Sequence, residues 1–102
     1  MAHYMIFYVG GKPPETPEEG ARKQQEWKDW VGSLGDAVVN PGTPLGNSRT
    51  VTAAGVSDGG GPNALTGFSV VNADSMEAAL EMAQRCPFLD VGTLQVAEVR
   101  KM

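Results

Sequence analysis

Residues 66–87 read TGFSVVNADSMEAALEMAQRCP, and within them a strand pattern passes directly into a helix pattern. Thr66–Val71 is rich in β-branched and aromatic residues, which predicts a strand. Asp74 or Ser75 then caps a helix, and Pro87 ends it. Four apolar positions spaced three and four apart predict the buried face of this helix: Met76, Ala79, Leu80 and Ala83.

The start of the chain repeats this order of elements. His3–Val9 is almost wholly apolar, which is typical of a strand covered on both faces. A helix is predicted over Pro17–Leu34, because Thr16 and Glu19 have capping-box spacing and proline suits the first helical position. Further strands are predicted at Ala37–Val39, Arg49–Ala53 and Thr93–Val99, and a glycine-rich turn region at Gly55–Asn63.

Two β-α-β units with an inserted strand between them predict an α+β fold, a ferredoxin-like sandwich. Each helix has one apolar face, so both helices should lie on one side of the sheet. Two short helices cannot bury all of the apolar side chains of the first strand, which include Met5, Phe7 and Tyr8. A second subunit is the simplest cover for the other side of the sheet. We therefore expect a homodimer of one domain spanning residues 1–102.

Composition and charge exclude several classes of protein. The 102 residues, 41% of them hydrophobic, suffice for one packed core. Twelve acidic against eight basic residues give a net charge of −4, which argues against nucleic acid or an anionic membrane surface as partner. The longest apolar run, Tyr4–Val9, is too short to span a membrane and lacks the basic flank of a signal peptide. With Cys86 alone there is no intrachain disulfide, so a cytoplasmic setting is expected.

No motif predicts a metal ion or another cofactor. One histidine and one cysteine leave no set of zinc ligands, and neither a CxxC nor an HExxH motif is present. Gly59–Gly61 lies between predicted strands and not at a helix N-terminus, so a hairpin loop is favoured over a phosphate cradle. His3 is interpreted as an exposed residue and not a general base. Cys86 ends a helix, where a thiolate is disfavoured, so a buried structural thiol is favoured over a nucleophile.

A small-molecule cleft is expected between the first helix and the sheet, lined by Tyr8, Gln24, Trp27 and Asp58. Tyr8 ends the first strand near the start of the helix, where Gln24 and Trp27 share a face. Aromatic residues commonly line such sites, with core packing the alternative role for Trp27. Turn chemistry is the alternative for Asp58. No pair among the four makes a nucleophile and its base, so we predict binding rather than fast hydrolysis. Whether the protein is an enzyme is left open.

Four blocks of sequence resemble the YCII-related family, in particular its DGPF-domain branch. They are HYMIFYVG (residues 3–10), EWKDWVGSLGDAVVNPGTPL (26–45), GFSVVNADSMEAALEMAQRCPF (67–88) and GTLQVAEVR (92–100). The resemblance covers nearly the whole chain, and it implies ferredoxin-like subunits that form a dimeric α+β barrel.

The chain departs from the family pattern at its signature. The Asp-Gly-Pro-Phe motif appears as residues 58–63, DGGGPN, with two inserted glycines and no phenylalanine. The resemblance to the YCII branch implies a cleft with a histidine and an aspartate, a pair of the kind that an enzyme uses. Since no histidine follows His3, only Asp58 matches that pair, and loosely.

Two functions are compatible with these observations. The first is a small dimeric protein that binds a small organic molecule in a cleft between helix and sheet. The second is a non-catalytic dimerisation or accessory module that supports a protein partner. A polar group facing an open cleft favours the first function, and a cleft filled by side chains favours the second.

Overall fold

The computed structural model describes residues 2–59 and 63–100, which form an α+β fold with two antiparallel sheets. The four-stranded sheet has the order β2-β5-β1-β6, and β3 pairs only with β4 in a separate hairpin. This strand order is that of a ferredoxin-like sandwich, so the predicted fold class is confirmed. The elements are β1 (Ala2–Val9), α1 (Pro17–Leu34), β2 (Val38–Asn40), β3 (Arg49–Thr52), β4 (Gly55–Asp58), β5 (Leu65–Ala73), α2 (Met76–Gln84) and β6 (Thr93–Glu98).

Local capping signals placed both helices correctly. The Thr16 hydroxyl accepts a hydrogen bond from the Glu19 amide at 3.1 Å, and Gly35 ends α1 with a φ of +56°. Of the two candidate caps of α2, Ser75 is the one used, since its hydroxyl accepts from the Ala78 amide. Among the described helices, none has the length and hydropathy needed to cross a membrane.

The inserted segment differs from its prediction. Residues 55–58, predicted as part of a turn region, form β4, and β4 pairs in register with β3. The chain reverses at Ala53–Ala54, just before Gly55 with its φ of +137°. Two alanines give no turn signal in the sequence, so the reversal was placed too late. The predicted loop at Gly59–Gly61 lies outside the described residues apart from Gly59.

The prediction that Leu80 belongs to the buried face of α2 is wrong. Leu80 is 41% exposed, whereas Ala79 is fully buried and Ala83 nearly so. Successive helical residues are separated by about 100°, so turning Ala79 to the sheet moves Leu80 to the edge of the contact. Met76 and Met82 complete the packing of α2.

Strand alternation divides the sheet into a core face and a second, open face. On β1, Tyr4, Ile6 and Tyr8 point into the core beneath the helices. The intervening Met5 and Phe7 are half-buried and point to the opposite side. Met5 and Phe7 thus lie on the side of the sheet away from the helices, as predicted. Tyr8 lies on the other side and is covered by the chain's own helices.

Candidate functional site

An apolar cleft lies between the N-terminal half of α1, the segment 42–44 and the turn that follows α2. Its volume is about 480 Å³, which is within the range of small-molecule sites. Four aromatic residues and three prolines are among the seventeen residues that line it: Tyr8, Pro14, Trp27, Pro44, Phe68, Pro87 and Phe88.

One wall of the cleft depends on a glycine. The Gly42 amide donates to the Asn40 side chain at 2.8 Å, in a turn that brings the following residues alongside β5. Pro44 then forms an isolated antiparallel β-bridge with Gly67, and the Leu45 amide donates to the Thr66 carbonyl at 3.0 Å. Gly42 has a φ of +82°, and a Cβ there would lie 1.5 Å from the Phe68 carbonyl oxygen. Only glycine lets the segment approach the strand this closely.

Tyr8 and Trp27 form the floor of the cleft, and they belong to a chain of four hydrogen-bonded groups, here called the relay: Trp27, Tyr8, Ser69 and the Pro41 carbonyl. The Trp27 indole donates to the Tyr8 hydroxyl at 3.0 Å, and the Tyr8 and Ser69 hydroxyls are 2.8 Å apart. Ser69 in turn donates to the Pro41 carbonyl at 2.7 Å.

The direction of the relay follows from which groups can donate. A carbonyl only accepts, so the single proton of Ser69 is used on Pro41. The Tyr8 hydroxyl must therefore donate to Ser69, and it accepts from the Trp27 indole, which only donates. Every polar hydrogen of the relay is committed within the protein, so the floor offers a ligand no hydrogen-bond donor from these side chains.

Burial raises the pKa of Tyr8 above its ordinary value, and the hydrogen bonds to Ser69 and Trp27 oppose that shift only partly. The phenol is therefore neutral at physiological pH. Because its proton is also bound to Ser69, Tyr8 is poorly suited to act as a base toward a molecule in the cleft.

Three charged residues line the cleft: Lys12, Glu19 and Lys23. Lys23 forms ion pairs with Asp90 at 2.6 Å and with Glu26 at 3.2 Å. The hydrogen bond that Lys23 donates to Asp90, together with the weaker contact with Glu26, raises the pKa of Lys23 above its usual value, so the amine stays charged. The Lys23–Asp90 pair also connects α1 to the turn after α2, across one end of the cleft.

The structure brings together three of the four predicted site residues. Tyr8, Gln24 and Trp27 all line the cleft. Asp58 is an exposed residue of β4, opposite Arg49 in the hairpin, and it is not among the residues that line this cleft. The binding role of all four stays a prediction.

His3 and Cys86 lie where their structural interpretations place them. His3 is exposed on β1, and Cys86 is only 3% exposed. Burial raises the pKa of the Cys86 thiol to about 11, which keeps it protonated and unreactive. Among the described residues, no cluster of three or more carboxylate, histidine or cysteine side chains could hold a metal ion.

Sequence reasoning missed Ser69 and Phe88. Ser69 is 2% exposed at an inward position of an otherwise apolar strand. A hydroxyl at that position in the alternation was a signal for a buried polar contact. Phe88 stacks at a tilt on Tyr8, with ring centroids 5.2 Å apart, and only the tertiary fold brings the two rings together.

A Tyr8→Phe variant should be destabilised by about 1–3 kcal/mol, because it leaves the Trp27 indole and the Ser69 hydroxyl without their shared partner. Tyr4→Phe is the matched control, since Tyr4 is equally buried on the same face of β1 and lies outside the relay. Urea unfolding followed by circular dichroism measures both variants. Equal losses in the two variants would show that the relay contributes nothing specific.

The family model described as the YCII-related domain matches residues 21–102. No curated protein matches the chain. Among solved structures, the chain is similar to 5-chloro-2-hydroxyhydroquinone dehydrochlorinase (TftG) of Burkholderia phenoliruptrix, in complex with 2,5-dihydroxybenzoquinone. The identity is 13%, the TM-score is 0.60, and the match covers 95% of this chain and 93% of the other. The similarity to TftG concerns the fold, and the family match shows that this chain belongs to the YCII-related family.

Proposed function

We propose that this protein binds a small, flat and largely apolar organic molecule in the cleft. The observation that carries this proposal is an open cleft whose walls are aromatic and whose polar floor is already satisfied. A ring can lie against Trp27 and Phe88 without breaking a hydrogen bond between the protein and water.

Polar substituents of the molecule are accommodated at the mouth. Lys12, Gln24 and Thr43 line the cleft, and each is exposed. The relay accepts a hydrogen bond more readily than it gives one, so a hydroxyl on the ring suits the floor better than a carboxylate. The ligand of TftG, 2,5-dihydroxybenzoquinone, is a hydroxylated ring of this size.

Binding without fast hydrolysis is the activity that the cleft supports best. The cleft lining includes no histidine or cysteine, and Tyr8 holds its proton. The neighbouring carboxylate, Glu19, lies on the first turn of α1. A slow reaction that relies on the chemistry of the bound molecule itself remains compatible with this arrangement.

We further propose that the protein is a cytoplasmic homodimer. The apolar residues on the open face of the sheet, Met5, Phe7, Phe68 and Val70, support the dimer, since a second copy would remove them from water. The same face favours the alternative function, a dimerisation module. A free cysteine supports a reducing compartment.

Titration with phenol and with 2,5-dihydroxybenzoquinone, followed by two-dimensional NMR, tests the binding proposal. We expect the Trp27 indole and Gly67 amide signals to shift saturably, while the Trp30 indole, which is buried and bonded to Met82, stays unchanged. Gln24→Ala should weaken binding by about threefold to tenfold, the equivalent of one hydrogen bond.

Gln25→Ala is the matched control for that variant. Gln25 is the exposed neighbour on α1, its side chain donates to Asp29, and it does not line the cleft. Shifts confined to other surfaces, or equal effects of the two glutamine variants, would contradict binding in this cleft.

A further inference from the structure

The hairpin of β3 and β4 has no core of its own. All eight of its strand residues are exposed, and Val51 and Val56, which lie opposite each other, are 74% and 64% exposed. A two-stranded hairpin without further cover is marginally stable in water. Two adjacent exposed valines therefore indicate a surface that is covered in the functional state.

The register of the hairpin separates its residues onto two faces. Arg49 lies opposite Asp58, and Val51 lies opposite Val56, so these four share one face. The other face carries Gly55 and the hydroxyl residues Thr50, Thr52 and Ser57. Arg49 and Asp58 thus lie together at the open end of the hairpin, beside the apolar pair on the same face.

The hairpin widens the molecule. The chain measures 43 × 40 × 18 Å, and its radius of gyration of 14.6 Å exceeds the value of about 13 Å for a compact domain of this length. Four strands about 4.8 Å apart account for only about 20 Å across the sheet, well short of the long dimensions of the molecule. Since the third dimension is only 18 Å, the hairpin extends the slab sideways and does not rise far from it.

We infer that the valine face of the hairpin is a clasp that contacts a second copy of this chain. The face is self-complementary: a two-fold rotation about an axis along the hairpin places Arg49 of one copy near Asp58 of the other, and Val51 near Val56. Its charges sum to zero, so two copies meet without the repulsion expected from the chain's net charge of −4. The clasp rests on the homodimer of the proposed function and extends its interface beyond the open sheet face.

Opposite charge reversals test the clasp. Arg49→Asp makes both charged positions of the face negative, and Asp58→Arg makes both positive. Each variant alone should dissociate at about tenfold higher concentration than the native protein, because each dimer then carries two repulsive contacts. Mixed together, the two variants should form heterodimers in excess of the statistical 1:2:1 ratio, measured by native mass spectrometry.

The valines are tested separately. Val51→Thr with Val56→Thr keeps the β-branched shape and should also weaken the dimer, while Thr50→Val on the other face should not. The clasp is overturned if the mixed variants give the statistical 1:2:1 ratio and every variant dissociates at the same concentration as the native protein. The proposed dimer is unaffected by that result. A native protein that is monomeric at high micromolar concentration overturns both the clasp and the dimer, whereas binding in the cleft is measured independently by the NMR titration.

Discussion

A Gly42→Ala variant should be less stable than the native protein by at least about 2 kcal/mol and should lose most of its binding in the cleft. The left-handed backbone at φ +82° costs an L-residue about 1–2 kcal/mol. In addition, the new Cβ would lie 1.5 Å from the Phe68 carbonyl oxygen, so the segment must leave β5. Its departure removes Pro41 from Ser69 and opens the wall of the cleft.

Gly46→Ala is the matched control for this prediction. Gly46 lies in the same loop, and a Cβ there meets nothing within 4 Å. Replacing a glycine that has room for a methyl group reduces the entropy of the unfolded chain, so we expect a neutral or slightly stabilising effect. Urea unfolding and titration with phenol measure both variants. If Gly42→Ala matched Gly46→Ala in stability and binding, the close approach of residue 42 to β5 would be refuted.

The elements that the sequence predicted well are those whose signals are local. Thr16, Pro17 and Gly35 mark both ends of α1, and its bounds were predicted without error. The strands of the main sheet were found to within a few residues, because their apolar runs are interrupted by proline or glycine. The order of these elements, two β-α-β units, predicted the ferredoxin-like sandwich, and the resemblance to the YCII-related family agreed with it.

The cleft was only half predictable, because its walls come from distant parts of the chain. Tyr8 and Trp27 were found from their positions at a strand end and on a helix face. The approach of Gly42 to Phe68 and of Phe88 to Tyr8 depends on tertiary structure alone. A family motif drew attention to Asp58, which the hairpin carries away from the cleft.

The orientation of α2 shows a limit of periodicity in a short helix. Five of its nine residues are alanine or methionine, and Leu80 lies among them. Apolar residues thus occur around more than half of the helix circumference, and spacing alone does not choose between the faces. Ala79 and Ala83 face the sheet, because small side chains let the helix backbone lie close to it.

A Trp30→Ala variant should lose about 3–5 kcal/mol, the range for removing a buried aromatic side chain. Trp30 is 6% exposed, and its indole donates to the Met82 carbonyl at 3.0 Å. That carbonyl lies in the last turn of α2, where it also accepts from the Arg85 amide at 3.2 Å. Trp30 therefore fills the core and also joins the two helices.

Two further variants make the Trp30 prediction specific. Trp30→Phe keeps a ring in the core but removes the donor, so its loss should fall between those of the alanine variant and the native protein. Leu80→Ala removes a large apolar side chain from α2 at a position that is 41% exposed, and it should cost less than about 1 kcal/mol in the monomer. Calorimetry and urea unfolding compare the three. A loss at Leu80 as large as that at Trp30 would restore the original interpretation of the helix face.

Binding separates the effect of Trp30 from that of Gly42. Trp30 lies one turn beyond Trp27 on α1, outside the lining of the cleft. A Trp30→Ala protein that is still folded at low temperature should therefore bind phenol within about threefold of the native affinity, although it unfolds more easily. Gly42→Ala should lose binding even where it remains folded, because the wall itself is displaced. If loss of stability and loss of binding instead ran in parallel across both variants, the cleft would be no more than a part of the general core.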